Sequence, residues 1–66
     1  MLKMKALRLV SNMTQAEVGK AIGVSRQTVA AWEDGRVYPL IKNCKALAAL
    51  YQCDMAELFR EDAEIK

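Results

Sequence analysis

Sixty-six residues with 53% apolar and 27% charged side chains suit one small domain with one core, too short for a catalytic domain joined to a sensor domain. No apolar run approaches the ~20 residues a membrane span needs, and no basic start followed by an apolar stretch marks a signal peptide, so a cytoplasmic chain is expected. The net charge of +2 hides an asymmetry, since residues 1–53 carry a local +5 and residues 54–66 a local −3. A basic body with an acidic tail suits a polyanion on one face, although an ordinary mixed surface would give the same numbers.

Helical spacing runs through the chain and strand signals are absent. The first predicted helix covers about 2–11, with Leu2, Ala6, Leu9 and Val10 as its apolar stripe and Lys3, Lys5 and Arg8 around it. Asn12 fits the helix end, because Asn tolerates left-handed backbone. The second helix, about 15–22, opens on Thr14 with Glu17 three positions later, a capping box in which hydroxyl and carboxylate each satisfy a backbone amide. Met13 stands where a hydrophobic staple would meet Val18, and Val18, Ala21 and Ile22 are expected inward.

Gly23 breaks that helix. Glycine reverses the chain without steric cost, so the helices on either side can cross steeply, the geometry of a helix-turn-helix. Gly19 lies one turn earlier, where glycine costs about 1 kcal/mol relative to alanine. Close approach by the following helix would give that cost a use; a merely tolerated glycine is the other reading.

Ser25 caps the third helix, about 26–34, with Val29 and Trp32 inward, and Asp34-Gly35 ends it. At about 100° per residue Gln27 then points outward, flanked by Ala30 and Ala31, with Arg26 at the helix start and Thr28 leaning toward the core. A solvated helix would favour Lys and Glu on such a face. Gln and Arg instead can pair bidentately with adenine and guanine edges in the major groove, and the alanines are small enough to let the helix enter.

Val37-Tyr38-Pro39 is a connector, because the residue before proline avoids helical angles. The fourth helix, about 40–51, turns Cys44, Leu47, Ala48 and Tyr51 inward. Asp54 with Glu57 is expected to cap a short fifth helix, about 55–59, and the polar tail over 60–66 is expected to fray. Cys44 and Cys53 fit buried, reduced side chains better than a disulfide or half a metal site, and with no histidine and no CxxC spacing no metal is expected. No cofactor is expected either. An enzyme is disfavoured, since neither cysteine has an activating partner and no carboxylate pair faces a cleft.

The stretch TQAEVGKAIGVSRQTVAAWEDGRVYP resembles the Cro/phage-repressor type of helix-turn-helix, also called the xenobiotic-response-element family of bacterial and phage regulators. The resemblance runs from about Leu2 to Phe59 and rests on Thr14-Gln15, Gly23-Val24-Ser25, Arg26-Gln27-Thr28-Val29, Trp32-Glu33, Gly35 and Pro39. It implies a compact, all-α, five-helix lambda-repressor-like domain over 1–66 that binds double-stranded DNA through helices 2 and 3. By the same resemblance Arg26, Gln27, Thr28 and Ala31 would read bases, and Gln15, Ser25, Gly35 and Arg36 would hold phosphates, as helix starts and loop amides do. Arg8 and Glu33 would form a structural bridge.

The chain departs from the family pattern at Gly19, where alanine is commoner, at Gln52 and Cys53, where glycine and valine are, and at Asp34, where asparagine is. The expected function is a sequence-specific regulator, a repressor, acting as a homodimer on an inverted-repeat operator, with half-sites about 34 Å apart. Met55 and Phe59, with Leu58 and Ile65 nearby, offer the dimer surface, although Leu58 also suits the core. A protein-interaction module on the same fold, such as an antitoxin with a protein partner, is the alternative reading.

Overall fold

Local chemistry fixes the helix boundaries most plainly where a capping side chain or a left-handed residue stands. The computed structural model describes residues 2–60, and five helices are present among them: α1 (Lys3–Val10), α2 (Gln15–Ile22), α3 (Arg26–Asp34), α4 (Ile41–Tyr51) and α5 (Met55–Leu58). The expectations for the tail beyond Arg60, Ile65 included, lie outside the described residues.

The Thr14 capping box closes in both directions, with Glu17 N–H donating to Thr14 Oγ1 at 3.0 Å and Thr14 N–H to Glu17 Oε1 at 2.8 Å. Four helix ends share one device. Asn12, Gly23, Gly35 and Gln52 all take left-handed backbone. The amide one residue further on then returns to the helix, as Met13 to Arg8, Val24 to Gly19, Arg36 to Ala31 and Cys53 to Ala48. This is the Schellman closure that satisfies orphan carbonyls. Gln52 shows that the closure keeps its shape without glycine, at the steric cost of φ 56° on a residue with a Cβ.

Met4, Val18, Val29, Trp32, Cys44, Leu47, Tyr51 and Leu58 form one buried cluster, with Leu7, Met13, Ile22 and Val24 packed against it. All five helices contribute to it, and a hydrogen bond from Lys3 N–H to the Arg60 carbonyl, 2.7 Å long, joins the two ends of the described chain.

Three expectations need correction. In α1 the buried residues are Met4 and Arg8, whereas Leu9 and Val10 stand 53% and 84% exposed. The helix is turned away from its Leu9–Val10 stripe because Arg8 must face a carboxylate on α3, and Met4 lies one turn from Arg8 on that same side. In α2 Ala21 is exposed, and Gly19 takes the inward place beside Val18 because the backbone of the following turn presses on it. Asp54 holds the N-cap position of α5 with extended backbone but makes no side-chain cap bond. Glu57 turns instead to Arg60 at 3.0 Å and Lys3 at 3.5 Å.

Gly19 has the close contact that its position in mid-helix suggested. A Cβ there would lie 2.6 Å from the Val24 carbonyl oxygen and 3.3 Å from the Ser25 carbonyl group. The partner is the backbone of the turn leading into α3, so the missing side chain sets how near α3 begins to α2.

Candidate nucleic-acid interface

α3 begins at Ser25, whose hydroxyl accepts the Thr28 N–H at 3.1 Å and shares a hydrogen bond of 2.9 Å with the Thr28 hydroxyl. Thr28 is half-buried, so its oxygen serves the cap before it serves anything outside. Arg26 and Gln27 are exposed, and neither side chain makes a hydrogen bond or ion pair among the described residues. Ala30 and Ala31 are half-buried behind them, and Val29 and Trp32 turn into the core. The outward face therefore consists of two long hydrogen-bonding side chains and two methyl groups.

Two helix starts lie beside that face. In α2 the first amides taken up by the helix and its cap are those of Glu17 and Val18, and in α3 those of Thr28 and Val29. The N–H groups of Gln15, Ala16, Arg26 and Gln27 thus have no acceptor among the described residues, and they lie at the positive ends of the helix dipoles. The α3–α4 loop contributes differently. The N–H groups of Gly35 and Arg36 are taken by the Trp32 and Ala31 carbonyls, so its group for an anion is the Arg36 guanidinium. That side chain meets Asp34 at 3.1 Å, with both about two-thirds exposed. An open pair of this kind is worth under about 1 kcal/mol and yields readily to a competing anion.

Behind the face, Arg8 and Glu33 form a bidentate pair, Nε to Oε2 at 2.6 Å and Nη2 to Oε1 at 3.2 Å, with side chains only 9% and 2% exposed. Arg8 Nη1 also donates to the Met13 carbonyl at 2.9 Å. Glu33 sits at the negative end of α3, where a lone carboxylate would be disfavoured, and the guanidinium offsets both the charge and the dipole. The hydrogen bond to Glu33 raises the Arg8 pKa further above its ordinary value, so the guanidinium keeps its charge.

Tyr51 is buried against the same core. Burial first, and then the Glu33 charge, pushes its hydroxyl up to about 12. Its oxygen has no hydrogen-bond partner among the described residues.

Gln15 is half-buried, and its Nε2 donates to Glu33 Oε1 at 3.1 Å. No spacing rule could have revealed this bond, because its partners are 18 residues apart on different helices. Two surface residues missed in the sequence are Tyr38 and Ile41. Tyr38, before Pro39, meets Phe59 edge to face with ring centres 5.8 Å apart. Ile41, Cys44, Met55, Ala56 and Phe59 line one apolar groove beside that pair. Tyr38 and Ile41 are about 70% exposed and Met55 and Phe59 nearly 40%, on the surface made by α4, α5 and the loop before α4.

Among the described residues no group of His, Cys, Asp and Glu could hold a metal ion, both cysteines are free, and no helix is long and apolar enough to cross a membrane.

Known proteins resemble this chain in sequence and fold. The helix-turn-helix family profile matches residues 4–58. An HTH-type transcriptional regulator of Methanocaldococcus jannaschii is 35% identical over 57 residues, 86% of each chain. The cryptic phage CTXphi transcriptional repressor RstR of Vibrio cholerae is 36% identical over 56 residues, 85% of this chain and 50% of RstR. The crystal structure of the P22 c2 repressor in complex with synthetic operator 9T superposes with a TM-score of 0.83 at 31% identity, covering 94% of this chain and 98% of that one.

Proposed function

The chain belongs to the Cro/C1-type helix-turn-helix family, and from that premise we propose that it is a DNA-binding transcriptional regulator, a repressor, that reads the major groove with α3. The observation that carries the reading is the outward face of α3. Arg26 and Gln27 stand exposed in front with no side-chain hydrogen bond among the described residues, while the rear of the helix is fixed by a buried ion pair. An exposed helix with idle hydrogen-bonding side chains and a rigid back is what base recognition needs.

The parts divide the work. Gln27 has the donor and acceptor that match an adenine edge, and Arg26 the fork that matches guanine. Ala31 offers a methyl for thymine, and Thr28 supports the cap from which Arg26 and Gln27 project. Phosphates are held by the free amides at the starts of α2 and α3, beside Gln15 and Ser25, and by Arg36 next to Gly35. These contacts set the register and carry no sequence information of their own.

One such helix spans too few base pairs for tight selective binding, so the regulator acts as a homodimer on an inverted repeat, in the cytoplasm where the DNA is. The groove that includes Met55 and Phe59 supplies the surface for the second copy. The likeness to a repressor crystallised on a synthetic operator supports the DNA-binding part of this reading.

Selection of bound duplexes from a random library, followed by a measurement of stoichiometry on the winner, tests it. The expected result is two inverted half-sites, about one helical turn apart, with two protomers per duplex. A library that shows no enrichment after repeated rounds would remove sequence-specific binding. Enrichment with one protomer bound would remove the dimer alone.

A further inference from the structure

Gln15 closes a polar network that joins three helices. Glu33 Oε1 accepts from Gln15 Nε2 at 3.1 Å and from Arg8 Nη2 at 3.2 Å. Arg8 ties the same carboxylate to α1 and, through the Met13 carbonyl, to the turn before α2. Gln15 is the contribution of α2, so the C-terminal end of α3 is fixed to both helices behind it.

A side-chain amide nitrogen carries two N–H groups, and the Glu33 oxygen takes one. Among the described residues the second has no acceptor, nor has the backbone N–H of Gln15, and both can serve an acceptor outside the protein. Gln15 also lines the same cleft as the base-reading Arg26, between the end of α1 and the start of α2.

We propose that Gln15 is a positioning residue for α3 as well as a phosphate ligand. It holds Glu33 through one N–H and a DNA phosphate through the other, and so sets the tilt at which α3 lies against the bases. The inference rests on the reading of α3 as the recognition helix.

The geometry gives this bond leverage. Glu33 lies near the last turn of α3 and Gln27 near the first, roughly 9 Å apart along the axis at ~1.5 Å per residue. A tilt of about 5° at Glu33 would then move Gln27 by nearly 1 Å, more than the ~0.5 Å that a preorganised binding group tolerates. A phosphate contact alone has a different signature, because its loss weakens every duplex by the same factor.

Gln15→Met keeps most of the side-chain volume and removes both donors. Affinities are measured on the best duplex from the library and on a shuffled duplex of the same length, for the wild-type chain and for each variant. Gln15→Met is expected to weaken the shuffled duplex about threefold and the selected one about thirtyfold, narrowing the specificity ratio about tenfold.

Gln15→Lys, which restores a donor toward Glu33 and a cation toward phosphate, is expected to recover most of that ratio. Equal loss on both duplexes, or a ratio as narrow for Gln15→Lys as for Gln15→Met, would overturn the positioning role. A wild-type chain that does not distinguish the two duplexes would instead overturn the DNA reading itself.

Discussion

Tyr51 carries a hydroxyl into the core that the described residues leave without a partner. Desolvating such a group costs free energy that no internal bond returns. Tyr51→Phe is therefore expected to raise stability at neutral pH by about 1 kcal/mol, read as a higher melting temperature. The same residue gives a pH signature. Its hydroxyl titrates near 10 when unfolded and is pushed up to about 12 in the fold, so the native state keeps the proton that the unfolded chain gives up. Its contribution to stability is constant below pH 10 and declines as pH rises toward about 12. The wild-type chain should lose stability over that window relative to Tyr51→Phe, and parallel melting curves for the two would refute the shift.

Gln27 is exposed and its side chain makes no hydrogen bond among the described residues, so its removal should leave the fold alone. Gln27→Ala is expected to cost about 1–3 kcal/mol on the selected duplex and little on a shuffled one; the same loss on both would reject base reading by this side chain. The outward direction of Arg26 and Gln27 was legible in the sequence because a nine-residue helix with Val29 and Trp32 buried has only one remaining face. The bond from Gln15 to Glu33 was not, because it depends on how α2 and α3 cross.

Helix ends were the most legible elements, and the rotation of helices the least. Thr14, Ser25, Gly23 and Gly35 act through bonds to residues within five positions, so the sequence around each contains the whole of its chemistry. The inward face of α1 is chosen by a carboxylate 25 residues away, and apolar spacing alone pointed to the wrong side.

Two substitutions test the element contacts. Gly19→Ala gains about 1 kcal/mol of helix propensity but sets a methyl 2.6 Å from the Val24 carbonyl oxygen, so α2 and the turn must part. A lower melting temperature is expected, and a higher one would show that the turn yields freely. Gln52→Gly relieves left-handed backbone at the end of α4 and should raise stability by about 0.5–1 kcal/mol in thermal melts, the steric relief outweighing the added freedom of the unfolded chain. No change would mean that Gln52 sits there without strain.

At the scale of the molecule, two surfaces face away from the core with different chemistry. One is polar and built around α3; the other is apolar and built from Tyr38, Ile41, Met55 and Phe59. Met55 and Phe59 stood out in the sequence as apolar residues near its end. Tyr38 and Ile41 did not, because the fold alone brings the loop before α4 against α5. Phe59→Lys introduces a charge into the groove while leaving the eight-residue core cluster intact. If the proposed dimer forms there, the variant is expected to melt near the wild type but to sediment as a monomer where the wild type sediments as a dimer, with operator affinity lowered more than tenfold. Unchanged sedimentation would place the second copy elsewhere.

The ion pair between Arg8 and Glu33 also bears on how new specificities arise. Removing either partner strands a charge in the interior at a cost of about 3–5 kcal/mol, a large share of the roughly 5–15 kcal/mol that holds a small domain together. Those two positions can therefore drift only as a couple. Arg26 and Gln27, which no side-chain hydrogen bond or ion pair holds among the described residues, are free to vary one at a time. If the front of α3 reads bases as proposed, a lineage built on this scaffold can exchange its operator vocabulary by single steps there while inheriting the clasp behind it unaltered.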